Sequence, residues 1–184
     1  MCLKELEALS TAGTIDLLYA DESGVCTEGY VPYGWQFAGE RVSVPATKDS
    51  KRLNCFALIN RENCCHSYST TKKMDGAFIA ERLEELSFSI SKQTVVVLDC
   101  ASTHRSKLIK ERLPYWRKRG LWLFYLPPYS PHLNLAETLW RVMKGKWLKP
   151  EDYSSAEQLF YATAQCLKAV GKTAFINFSP FNLN

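Results

Sequence analysis

A chain of 184 residues, 46% hydrophobic and 23% charged, is long enough for one domain with its own core and has an ordinary globular composition. No apolar run approaches a membrane span and the charged first ten residues do not read as a secretory signal, so no membrane partner is expected. The net charge of +4 is uneven: residues 105–149 carry 11 Lys/Arg against 2 Asp/Glu, whereas residues 1–104 carry 10 against 14. Such a basic block beside conspicuous carboxylates suggests a polyanionic substrate handled at a metal site, the alternative being a solvated helix face. Seven cysteines at irregular spacing, with no CxxC pair, suggest free thiols in a reducing compartment.

Residues 3–9 place Leu3, Leu6 and Leu9 among charges, which predicts a short amphipathic helix; residues 1–14 read as a linker and 15–184 as one domain. Residues 15–20 form a largely apolar strand closed by Glu22-Ser23-Gly24, so that Asp21 falls at its carboxyl end. The Tyr30 to Trp35 stretch reads as irregular loop, followed by a short alternation at 41–44. Residues 53–59 and 64–69, separated by Asn60-Arg61-Glu62-Asn63, are strands that would complete an antiparallel meander.

Asp75-Gly76 introduces Phe78, Ile79, Leu83 and Leu86 on one face of a helix. The uninterrupted apolar run at 94–98 predicts a strand buried on both faces and ending at Asp99. A basic segment at 102–119, interrupted by Pro114, and a strand at 121–126 would form a parallel crossover unit with it. A stiff proline loop then delivers Asn134 as a helix cap with Glu137 in the first turn. On that helix, from 135 to about 148, Arg141 and Lys144 fall within about 40° of Glu137, opposite Leu135, Leu139 and Val142. Ser154 to Glu157 offers a capping box for a last helix with a stripe of Leu159, Thr163, Cys166 and Val170.

Each carboxylate has a purely structural reading: Asp21 as a turn former, Asp99 as a helix cap, Glu137 as the far end of a capping box with Asn134. Together they point elsewhere. Three carboxylates about 4 Å apart would repel by about 4 kcal/mol per pair at an effective dielectric near 20, an objection that bound cations remove. Oxygen-only ligands favour Mg²⁺, with Mn²⁺ as substitute, over zinc, and two such ions suit phosphodiester chemistry.

Tyr19-Ala20-Asp21-Glu22-Ser23, Val97-Leu98-Asp99-Cys100-Ala101-Ser102-Thr103-His104-Arg105 and Leu126-Pro127-Pro128-Tyr129-Ser130-Pro131-His132-Leu133-Asn134-Leu135-Ala136-Glu137 resemble the three acidic motifs of DDE transposases of the mariner-like superfamily, particularly its bacterial insertion-sequence branch. Three positions depart from that pattern: Cys100 stands where Asn is usual, His132 where Glu is common and Leu135 where Pro is common. The resemblance implies an α/β, ribonuclease-H-like mixed sheet, an antiparallel meander plus parallel strands with helices packed on it. It implies Asp21, Asp99 and Glu137 as catalytic ligands of Mg²⁺, with water and then a 3′-hydroxyl as nucleophile.

His104, Arg105, Asn134, Arg141 and Lys144 become the expected DNA contacts, with His104 either touching DNA or steadying its loop. The implied partners are transposon ends and target DNA, with room for a homodimer and for an upstream helix-turn-helix subunit or frame. Cytoplasmic, nucleoid-associated location in a bacterium follows from the same resemblance. An idle remnant that binds DNA or protein, and a ribonuclease-H-like nuclease, are the alternatives.

Overall fold

A computed structural model describes residues 2–28, 37–40, 50–179 and 181. The chain runs α1 (Leu3–Thr11), β1 (Asp16–Cys26), β2 (Arg52–Ile59), β3 (Cys65–Thr70), α2 (Gly76–Ser89), β4 (Thr94–Leu98), α3 (Lys107–Lys118), β5 (Leu121–Tyr125), α4 (Leu135–Val142) and α5 (Ala156–Ala169). The loop expected at 30–35 and the alternation at 41–44 lie outside the described residues.

The strands form one sheet in the order β3-β2-β1-β4-β5. β1, β2 and β3 pair antiparallel, whereas β1–β4 and β4–β5 pair parallel. This is the expected ribonuclease-H-like mixed sheet. Because side chains alternate across a strand, Leu17 and Tyr19 of β1 and Val95 and Val97 of β4 face α1, α4 and α5; Leu18, Ala20, Val96 and Leu98 face α2 and α3. The apolar run of β4 is thus buried throughout, as a central strand between two helical layers must be.

Local chemistry starts and stops the helices. Asp75 accepts hydrogen bonds from the Ala77 and Phe78 N–H groups at the start of α2, and Ser106 caps α3. In α2, Ile79 and Leu83 are fully buried, each contributing roughly 2 kcal/mol by removal from water. The last helix starts one residue later than its capping pattern suggests, with Ser155 accepting from the Gln158 N–H at 3.1 Å.

Four expectations need correction. First, β1 does not stop before Asp21: Glu22, Ser23 and Gly24 continue it, opposite Phe56, Cys55 and Asn54 of β2. Second, α1 is not a linker. Leu3 and Leu6 enter the core, and buried Glu7 accepts from the Tyr19 hydroxyl and from the Arg61 guanidinium at 2.8 Å.

Third, Pro114 lies inside α3 without interrupting it. The carbonyl it leaves without a helical donor is that of exposed Lys110, which solvent can serve. Fourth, the basic block is not one patch, since α3 and α4 lie on opposite faces of the sheet. Part of its charge is also paired: Arg119 contacts Glu84 of α2 at 2.6 Å and Arg112 approaches the same carboxylate at 4.0 Å. All seven cysteines are free thiols.

Candidate active site

Asp21 sits in mid-strand, but at a boundary within the sheet. The parallel pairing of β1 with β4 ends at Tyr19–Val97, while the antiparallel pairing with β2 continues. Asp21 therefore lies just past the last β4 rung, on the face shared by Leu17 and Tyr19. Asp99 follows β4 with the parity of Val95 and Val97, hence on the same face. α4 packs on that face through Leu135, Ala136, Leu139 and Trp140 and presents Glu137 outward. Asp21, Asp99 and Glu137 line a single cleft of about 520 Å³, with the proline loop forming one wall and Arg105 at its edge.

The three structural readings of these carboxylates are answered by the geometry. Asp21 is a paired strand residue, not a turn former. Asp99 accepts from the Ala101 N–H at 2.9 Å, but α3 begins at Lys107 under Ser106. The Asn134 N–H donates to the Pro131 carbonyl at 2.8 Å, so it is not held by a capping-box bond from Glu137.

Asn134 is the joint of the site. Its Oδ1 accepts from the Ala136 N–H at 3.1 Å and its Nδ2 donates to the Ala20 carbonyl at 3.0 Å. One amide thus fixes the start of α4 to the residue preceding Asp21. At 4% exposure it is a positioning residue, which corrects its expected role as a DNA contact.

His104 is corrected in the same way. It is fully buried, with Nδ1 against Asp99 Oδ1 at 2.7 Å and Nε2 against Glu22 Oε1 at 2.9 Å. The Tyr125 hydroxyl donates to its carbonyl at 2.8 Å. Burial alone would lower the His104 pKa, but the Glu22 and Asp99 carboxylates outweigh it and hold the ring above its ordinary value. These contacts are those of a residue that steadies its loop, one of its two expected roles.

Arg105 and Arg141 are exposed, whereas Lys144 is half-buried and its ammonium is pulled down by that burial. A π-helical turn, Met143–Trp147, follows α4, so Lys144 lies past the regular helix yet close enough to Glu137 for their charges to interact.

Residues that sequence reasoning passed over also matter. Trp140 is buried and its indole N–H donates to Asp21 Oδ2 at 3.1 Å. Its position three residues after Glu137, on the packing face, was the available signal. Glu22 points to the opposite face from Asp21 and meets a histidine far along the chain, for which no local signal exists. Cys100, in place of the usual Asn, donates its thiol to the Leu126 carbonyl at 3.0 Å and ties the second acidic motif to the end of β5.

Electrostatically the cleft is poised for a cation. Asp21 is pushed up to about 7, first by burial and then by the negative charges of Glu137, Glu22 and Asp99. Among the described residues no three acidic, histidine or cysteine side chains form a closed metal cluster. The three cleft carboxylates nevertheless make an oxygen-only donor set whose repulsion a hard divalent cation would relieve, so they fit such an ion.

A family model described as DDE superfamily endonuclease matches residues 16–160, a span that contains all three carboxylates. The chain belongs to the DDE superfamily endonucleases. No curated protein matches the sequence. Among solved structures, the fold of this DDE chain is similar to the Mos1 transposase paired-end complex with the left transposon end, at TM-score 0.65 and 12% identity, covering 90% of this chain and 52% of that one. It is also similar to the Mos1 mariner paired-end complex with Mn, at 0.58 and 11%, covering 90% and 52%. A third likeness is to the simian T-cell lymphotropic virus intasome in complex with PP2A regulatory subunit B56 gamma, at 0.58 and 9%, covering 88% and 50%. This DDE chain therefore spans about half the length of the Mos1 transposase chain it matches.

Proposed function

We propose that this is the catalytic domain of a transposase of the mariner-like type, cutting DNA strands and joining them to a target with Mg²⁺ or Mn²⁺. The observation that carries the proposal is the convergence of Asp21, Asp99 and Glu137, from mid-β1, the end of β4 and the first turn of α4, on one cleft. These three carboxylates would hold two divalent ions. Bound there, such ions activate a water or a 3′-hydroxyl and stabilise the leaving oxygen of a phosphodiester.

The rest of the chemistry belongs to the chain. Trp140 holds the Asp21 carboxylate by its indole N–H, His104 holds Asp99, and Asn134 keeps α4 in register with β1. Arg105 and Arg141, and less freely the half-buried Lys144, are the cations to meet phosphate oxygens. Transposon ends and target DNA are the proposed substrates. An upstream helix-turn-helix partner and a homodimer belong to the same proposal, as does a bacterial cytoplasmic setting. Conversion of supercoiled plasmid to nicked circles in Mg²⁺, and its absence in EDTA, tests the reading.

Two measurable consequences arise at once. Asp21 has a folded pKa of about 7 against an ordinary 3.8, so between those values the folded chain keeps a proton that the unfolded chain has lost. Stability from this group is fully present below about pH 4 and is lost as pH rises through about 7. A divalent ion competes with that proton, so Mg²⁺ should raise Tm more at about pH 8 than at about pH 6. Equal increments, read by differential scanning fluorimetry, would count against metal at Asp21.

The second concerns salt. With its basic residues divided between two faces, the chain should bind DNA weakly and with little sequence preference. Removing one phosphate contact, Arg141→Ala, should flatten the slope of log affinity against log salt by about 0.9. Fluorescence anisotropy at several salt concentrations reads this directly, and an unchanged slope removes Arg141 from the interface.

A further inference from the structure

Tyr129, in the middle of the loop after β5, combines two unfavourable features. Its side chain is fully exposed, and its backbone has a φ of 58°, a left-handed conformation that is unfavourable for a residue other than glycine. The loop cannot easily relax this, because Pro127, Pro128 and Pro131 fix its backbone. Both of its ends are fastened: the Leu126 N–H donates to the Leu98 carbonyl at 2.8 Å and, at the far end, Asn134 Nδ2 donates to the Ala20 carbonyl at 3.0 Å. The ring is held out on a stiff support, and it lines the same cleft as Asp21, Asp99 and Glu137, with exposed Arg105.

We propose that Tyr129 is a stacking platform for one unpaired nucleobase next to the scissile phosphate. This rests on the DNA-cleaving reading of the cleft and adds a base-holding role to it. A phenol ring has the flat apolar face that a base requires and no charge to conflict with the neighbouring carboxylates. A duplex presents its bases stacked inward, so a protruding ring beside the acidic groups can engage a base only where the strand is opened. That links strand opening to delivery of the phosphate at the carboxylates, and a rigid ring achieves it with little side-chain ordering.

The test is a thermodynamic cycle between ring and base. The probe is a duplex with a single-stranded overhang, carrying an abasic site at one position at a time around the junction, bound in Ca²⁺. Tyr129→Asn removes the ring while tolerating the left-handed backbone, and Tyr129→Phe keeps the ring. Tyr129→Asn should bind intact DNA about tenfold more weakly, with no loss of Tm, whereas Tyr129→Phe binds as the wild type does.

At one junction position an abasic site should weaken the wild type about tenfold and Tyr129→Asn no further, because ring and base form one contact. Additive losses at every position, or full affinity in Tyr129→Asn, overturn the proposal while leaving a wild type that nicks plasmid in Mg²⁺ intact as a nuclease. A wild type that neither binds nor nicks DNA overturns the function and the stacking role together.

Discussion

Asp21→Asn, Asp99→Asn and Glu137→Gln should each reduce Mg²⁺-dependent nicking to the EDTA background while the chain remains folded. Each exchange keeps size and shape and removes one charged oxygen ligand. For Asp21 the stability change should run opposite to the activity change. Its carboxylate is buried and faces the charges of Glu137, Glu22 and Asp99, so in metal-free buffer above about pH 7 the neutral Asn should raise Tm. The Asn carbonyl oxygen can still accept the Trp140 indole hydrogen bond. Glu137→Gln should not lower Tm and in the same buffer should raise it slightly, because the capping box that would make Glu137 structural is not formed and its charge repels Asp21. Cleavage retained in two of the three folded variants would end the assignment.

Asn134→Ala should produce the largest loss of stability, about 2–4 kcal/mol. That sum joins the loss of a helix cap, about 1 kcal/mol, to the cost of leaving the buried Ala20 carbonyl without its donor, about 1–3 kcal/mol. Nicking should fall with it even at temperatures where the variant is folded, since Glu137 reaches the cleft only through the start of α4. Asn134→Asp separates the two effects: it keeps the cap but replaces the donor by a charge against a carbonyl. Chemical denaturation and nicking measured on both variants read the two contributions, and a fully active, fully stable Asn134→Ala would show that Asn134 joins nothing.

The parts of this fold that were legible in the sequence are those written in local pattern. The run at residues 94–98 had to be a central strand, and the proline loop with Asn134 and Glu137 had to start a helix at the site. The parts that were not legible depend on pairing between distant segments. Glu22-Ser23-Gly24 has the composition of a strand end, yet it stays in the sheet because β2 pairs with it after β4 has ended.

The basic block looks continuous along the chain, but α3 and α4 pack on opposite faces and Glu84 pairs with part of the charge. His104 carries the sequence signature of a DNA contact, and only its meeting with Glu22 across the sheet shows that it is a support for Asp99. Asp99 and Glu137 could be singled out because motif coincides with a strand end and a helix start at them, whereas Asp21 rests on its motif alone, since β1 runs on past it. The common face of Asp21 and Asp99 follows from strand parity, and the packing of α4 on that face brings Glu137 to them.

Crystals grown in Mn²⁺ and measured at the manganese absorption edge would locate the ions directly. Anomalous peaks within metal–oxygen bonding distance of the Asp21, Asp99 and Glu137 carboxylates, and lost in Asp21→Asn, are the predicted result. Peaks elsewhere with an empty cleft, from a protein that still nicks DNA in Mn²⁺, would contradict the carboxylate site.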